Sequence, residues 1–239
     1  MIIPRSLASV LFVGLIPLVA GCGSDKKTNI NANPWAGRTY LLDIPYSHWR
    51  EPSNASQDIG PSVPKFLLEV KNGSVNALEV LLGTSDADGL QDMCSPTSTI
   101  QATSQYPGIQ IGPATVPLLV GDKTQTKPVI AKAYQLTMTD VLAEAAGASP
   151  QTTSVLSAIL DARDVHSIFW HLPDPTEDSV CATLENLGSP CTACPADDQA
   201  GNYCLKLRAN GLAAVPLSGV SVTPVAQSEL AASCSDSGT

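Results

Sequence analysis

Four cysteines crowd one stretch of the chain as Cys181-x9-Cys191-x2-Cys194-x9-Cys204. Sulfur at this density has two ordinary uses. Four thiolates can hold zinc tetrahedrally, with Cys-x2-Cys as a half-site, or the sulfurs can oxidise in pairs. The remaining two cysteines form no matching short-spaced pair, which favours disulfides. A redox Cys-x-x-Cys centre would need a βαβ setting, and no such alternation is present. Asp86-Ala87-Asp88-Gly89, followed by Asp92, is similar to a fragment of a calcium loop, since carboxylates on a turn supply hard oxygen ligands. It lacks the distal Glu and the flanking helices of an EF-hand, so it reads as a solvated acidic turn. Tyr46-Ser47-His48-Trp49-Arg50 is dense in side chains that bind a sugar or peptide by stacking and hydrogen bonding; Tyr46, His48, Trp49 and Arg50 are the candidate ligand contacts. His166, Trp170 and His171 lie near Asp161 and Asp164, but no Gly-x-Ser-x-Gly elbow accompanies them. On a strand, His166 and His171 would face opposite sides, a poor metal pair. No P-loop or Gly-x-Gly-x-x-Gly occurs. No catalytic residue, metal or cofactor is therefore expected.

The N-terminus carries the most position-locked signal. Arg5 precedes an apolar run from Leu7 to Val19, and Leu18-Val19-Ala20-Gly21-Cys22 closes it. The run is too short to cross a ~30 Å hydrocarbon core comfortably as a helix, and Ala20 and Gly21 are small enough for a peptidase to reach the backbone. The stretch resembles the lipobox of bacterial lipoprotein precursors. That resemblance implies cleavage before Cys22, removal of residues 1–21 as a signal peptide, and lipid (palmitate among the acyl chains) on Cys22. It further implies a cell-envelope location. Gly23, rather than Asp, follows the cysteine, which implies the outer membrane, with the side it faces left open. Residues 22–34 read as a lipidated cysteine and a polar, flexible tether.

Elements able to position these groups follow from composition and periodicity. The chain of 239 residues carries a net charge of −9, with 22 acidic against 13 basic residues; this argues against a nucleic-acid partner and against electrostatic adhesion to anionic lipid. The membrane contact expected is the lipid on Cys22, and any envelope protein or glycan partner is unspecified. Besides Cys22 there are six cysteines, Cys94, Cys181, Cys191, Cys194, Cys204 and Cys234. An even number in an exported domain reads as three disulfides, with the connectivity open. Cys194 to Cys204 would close a short turn-rich loop, and Cys94 with Cys234 would by elimination tie the tail to the body.

Period-two alternation predicts strands over 39–44, 66–71 and 77–82, the last two joined as a hairpin around Asn72-Gly73-Ser74. Further strands are expected over 99–104, 115–120, 129–138, 155–161, 165–170, 203–208 and 220–225. Tyr203, Leu205 and Leu207 would face the core, with Cys204, Lys206 and Arg208 opposite. Pro and Gly around 107–117 predict an irregular or edge segment. One helix is signalled over about 174–187, with Asp174 as N-cap, Pro175 at N1, Glu177 at N3, an inner face of Val180, Cys181, Leu184 and Leu187, and Gly188 as the stop. Residues 140–146 are either a short helix or the continuation of the preceding strand. Many short strands and little helix predict a mainly β fold, an antiparallel sandwich or barrel with one short capped helix and a disulfide-stapled C-terminal region. The expected organisation is a single β-rich extracytoplasmic domain over 35–225 and a mostly irregular tail over 226–239, pinned at Cys234. The resulting reading is a lipid-anchored, non-enzymatic interaction or structural module. The alternatives are an envelope hydrolase with His48 or His166 as base, and a small-ligand carrier whose barrel mouth is lined by Trp35, Tyr46 and Trp49.

Overall fold

The computed structural model describes residues 35–44, 48–52, 60, 62–71, 73–74, 76–86, 88–105, 108–121, 129–143, 154–169, 172, 176–195, 201–230 and 234. Readings placed on Cys22, the tether, Tyr46, Trp170, His171, Asp174 and Pro175 lie outside them. The described strands are β1 (Arg38–Leu42), β2 (His48–Glu51), β3 (Lys65–Val70), β4 (Leu78–Ser85), β5 (Ser98–Gln105), β6 (Gly108–Val120), β7 (Val129–Ala143), β8 (Val155–Asp161), β9 (Cys204–Asn210) and β10 (Ala213–Leu217). The helices are α1 (Ala162–Val165) and α2 (Glu177–Asn186). No helix among the described residues is long and apolar enough to cross a membrane.

The strands run in the order β10-β1-β3-β4-β5-β6-β7, and a parallel pairing of Ala213 and Ala214 with Leu142 and Ala143 joins β10 back to β7. Seven strands thus close a barrel. Strands β8, β9 and β2 continue from β7 as an antiparallel extension. The alternation seen in the sequence supplies the interior. Tyr40, Leu42, Phe66, Leu68, Val80 and Ile111 are among the side chains buried in one continuous core, each worth roughly 1.5–3 kcal/mol when removed from water. Trp35, expected at a barrel mouth, is instead buried against Tyr40 with ring centroids 4.7 Å apart.

Long strand β7 serves both layers. On its edge away from β6 it pairs with β8 through residues 133–139 and with β10 through 142–143. Asp140, between the two sets, has a left-handed φ of 53°, an uncommon conformation for a residue with a side chain. Residues 140–143 are therefore strand, not helix. Of the irregular or edge segment expected over 107–117, the irregularity is present, as register shifts against β7 between Ile109 and Val116, but the edge is not: β6 is central, paired with β5 on one side and β7 on the other. Pro113 is tolerated because it falls between Ile111 and Ala114, where the register to β7 shifts and no ladder donor is needed.

Other corrections have equally local causes. The β3–β4 hairpin exists, but its tight reversal is at Ser74–Ala77, where the Ala77 N–H donates to the Ser74 carbonyl at 3.1 Å. Residues 165–168 are helical rather than extended: the Asp161 carboxylate accepts the Arg163 N–H at 2.9 Å and starts α1, and Ala162, Val165, Ile168 and Phe169 are buried at helical spacing. Helix α2 is capped by Thr176, not Asp174, in a reciprocal capping box with Ser179. Its inner face keeps Val180 and Leu184 but leaves Leu187 37% exposed. Gly188 ends it at φ 80° in a Schellman arrangement: its N–H donates to the Glu185 carbonyl and that of Ser189 to Leu184.

Residues 220–225 form no strand. They lie on the outside of the barrel, held by side chains: Thr39 Oγ1 donates to the Val220 carbonyl at 2.7 Å, and the Val222 N–H donates to Glu69 Oε2 at 2.6 Å. Gln91 both donates to and accepts from Thr223, each at 2.7 Å. Val222 covers Leu67 and Leu81, which is why those two leucines sit on the otherwise polar phase of β3 and β4. A disulfide from Cys234 to Cys94 secures the segment that follows.

Candidate binding site

The other two disulfides build the rim of a polar cleft. Cys181, on α2, bonds Cys191, and Cys194 bonds Cys204 at the start of β9. Between them, Thr192 exchanges backbone hydrogen bonds of 2.7 and 2.9 Å with Cys204. The segment from Gly188 to Thr192 is thereby fixed beside β9. It faces Arg50, Glu51 and Lys206 across a cleft of about 380 Å³. The four clustered cysteines are thus two cystines rather than a tetrathiolate site. Asp161 lies 3.7 Å from the Cys194 sulfur, close enough to form a compact group with Cys194 and Cys204. Its carboxylate is already occupied by the Arg163 guanidinium, at 2.5 Å to Nη2 and 2.9 Å to Nε. Arg163 in turn lies 5.3 Å from the centre of the Tyr203 ring. The Asp178 carboxylate, which repels a phenolate and accepts the phenol's hydrogen bond, pushes the Tyr203 hydroxyl above its ordinary value. These groups bind α1, α2 and β9 together.

Strand β2 contributes the opposite wall. His48 pairs with Asn210, Trp49 with Ala209 and Glu51 with Arg208, so a bulge at Arg50 lies between the last two pairs. His48 and Arg50 are exposed. Trp49 packs inward on the core, and its buried Nε1 has no hydrogen-bond partner among the described residues. The aromatic stacking expected of the 46–50 cluster is therefore not available from Trp49, while His48 and Arg50 do stand on the surface.

Register then defines rows across the outer face of the extension. Thr137, Ser157, Arg208 and Glu51 are successive partners, as are Tyr134, Ile159 and Lys206. Leu205 and Leu207 are buried while Lys206 and Arg208 are exposed, as the alternation predicts; Cys204, expected opposite the core, is buried by its bond to Cys194. A second cleft, of about 520 Å³, runs over this face and contains Gln135, Thr137, Ser157 and Arg208. It shares Glu51 and Lys206 with the first, so the two adjoin. Lys206, Arg208, Glu51, Gln135, Thr137 and Ser157 did not emerge as site residues from the sequence. Their available signal was a pair of cations alternating with leucines in an acidic chain.

The remaining candidates are engaged in structure. Asp86 Oδ1 accepts the N–H groups of Asp88 and Leu90, each at 2.9 Å, and Asp92 Oδ1 accepts that of Cys94 at 2.9 Å. These carboxylates cap turns. His166 Nδ1 lies 3.1 Å from the Arg163 carbonyl, in a 3₁₀ turn rather than on a strand. Asp164 Oδ2 accepts the Lys132 N–H at 3.5 Å. None of these is the register partner of His48, which pairs with Asn210. No known protein-family model matches the chain, and no curated protein or solved structure matches it.

Proposed function

We propose that this protein is a lipid-anchored, non-enzymatic interaction module of the bacterial cell envelope, tethered at the outer membrane through Cys22. One observation carries the reading. The three cystines use every cysteine except the one that ends Leu18-Val19-Ala20-Gly21-Cys22. Structural disulfides persist in oxidising compartments, and the sulfur left over is the one the lipobox would modify. Several acyl chains hold a protein at a membrane far longer than one. The open polar face of the extension suits a partner that binds by contact rather than a substrate enclosed for reaction.

Fractionation of cells producing the wild type and Cys22→Ser tests this. The wild type is expected with the outer-membrane fraction, carrying acyl mass on Cys22 and lacking residues 1–21. The variant is expected to lose the acyl mass and leave the membrane. Retention of Cys22→Ser in the membrane fraction would overturn the reading.

A further inference from the structure

The cations of the described surface are not used alike. Lys65 pairs with Asp43 at 3.2 Å, Lys71 with Glu69 at 2.6 Å and Arg163 with Asp161 at 2.5 Å. Arg50, Lys206 and Arg208 make no ion pair among the described residues, although the chain as a whole is strongly acidic. All three line the two adjoining clefts of the β8–β9–β2 face, and Glu51 is the single carboxylate among the described residues lining them. A local excess of positive charge therefore sits on a protein whose overall sign is negative. Walls of one sign in a cleft focus the field and raise the local concentration of the opposite charge.

We infer that these adjoining clefts bind an acidic glycan, with Arg50, Lys206 and Arg208 holding its carboxylates and Gln135, Thr137 and Ser157 hydrogen-bonding its hydroxyls. The inference rests on the interaction-module reading and supplies its ligand class. Three features select the ligand. Lys206 and Arg208 are two residues apart on one strand, so their stems stand roughly 7 Å apart on the same side; this suits anions spaced along a chain. Arginine guanidinium groups match planar carboxylates in bidentate geometry. Neutral donors and acceptors lie in the same rows as the cations: Ser157 is the register partner of Arg208, and Thr137 of Ser157. A polyanion as dense as nucleic acid would meet repulsion from the rest of the acidic surface. An extended peptide added as a strand would use the sheet edge at β2, whereas these clefts lie over the face.

Titration of the purified full-length protein with an oligogalacturonate, monitored by calorimetry at low salt, tests the assignment. Saturable binding is expected, with Lys206→Gln and Arg208→Gln each weakening it about tenfold and added salt weakening it further. Lys132→Gln, an exposed cation outside both clefts, should bind as the wild type does. Maltohexaose, the uncharged control, should not bind measurably. Because the altered side chains are exposed, unchanged melting temperatures establish that the variants fold. Failure of the oligogalacturonate to bind, equal binding of maltohexaose, tighter binding of oligoglutamate, or full affinity in the Lys206 and Arg208 variants would each overturn the inference. None of these outcomes bears on membrane release by Cys22→Ser, so the anchoring and the ligand stand or fall separately.

Discussion

Two cystines of very different span offer a direct test of what cross-links do in this fold. Cys94 and Cys234 are 140 residues apart, whereas Cys181 and Cys191 are 10 apart. If a disulfide acts mainly by shrinking the unfolded ensemble, loop-closure entropy gives about 5 kcal/mol for the long loop and about 3 kcal/mol for the short one. The native contacts of the long loop's end do not depend on the bond. Val222 still covers Leu67 and Leu81, and Thr97 still exchanges backbone and hydroxyl hydrogen bonds with Val225 at 2.9 Å. Both cysteine pairs are half-buried, so serine replacements keep access to water and add little desolvation cost. Urea unfolding of Cys94→Ser/Cys234→Ser should therefore lose about 4–5 kcal/mol, and Cys181→Ser/Cys191→Ser about 2–3 kcal/mol. Against the roughly 5–15 kcal/mol of a typical domain, the first leaves a marginal protein. The denaturant slope should also rise in the long-loop variant, because the freed chain exposes more surface on unfolding. Equal losses, or a larger loss from the short loop, would refute the entropic reasoning. The bonds would then be acting on the native cleft rim rather than on the unfolded chain.

Two further perturbations probe particular contacts. A Cβ at Gly112, where φ is 83°, would collide with the Leu136 carbonyl oxygen, whereas one at Gly89, where φ is 82°, would meet nothing nearby. Thermal unfolding should therefore show Gly112→Ala losing more than about 2 kcal/mol and Gly89→Ala only about 1 kcal/mol; equal losses would mean that backbone conformation alone sets the cost. Alkaline stability depends on Tyr203, raised by Asp178, and on Tyr40, raised by burial against a smaller opposing effect of Arg38. A phenol raised in the folded state contributes stability that is complete below its unfolded value near 10 and is lost as pH rises through the folded value. Tyr203→Phe should flatten part of that loss between about pH 9 and 12 and leave the part due to Tyr40; an unaltered profile would mean that Asp178 does not act on this phenol.

Strands with one face in the core and one in water were legible because each side chain answered to a single environment. Strand β8 follows that rule, with Leu156, Ala158 and Leu160 on the buried phase. Legibility failed where a segment from far along the chain changed the environment. Leu67 and Leu81 break the alternation of β3 and β4 because Val222 covers the outside of the barrel there. Strand β10, Ala213-Ala-Val-Pro-Leu, carries small residues and a proline and so lacked a strand signal. Its Pro216 is acceptable because β7 pairs only with Ala213 and Ala214, and beyond them β10 is bonded to β1 alone. The closure of the barrel thus depends on a two-residue seam between segments that no local pattern connects.

The site was half legible for the same reason. The 46–50 cluster pointed to the right strand but the wrong chemistry. In a period of two, Trp49 must face away from His48, and the core claims the larger apolar surface, so the indole goes inward. What remains outward is cationic. Lys206 and Arg208, read alone, are an ordinary solvated phase of β9. They become a site only when β2 is laid beside β9, bringing Glu51 opposite Arg208 and Arg50 to the adjoining cleft. Net charge could never have disclosed this, because it sums over the whole chain and does not say which cations share a cleft. An acidic chain excludes a polyanion that must be tolerated everywhere. It does not exclude one held at three cations gathered in adjoining clefts, and that gathering, which only the fold specifies, decides which cations those are.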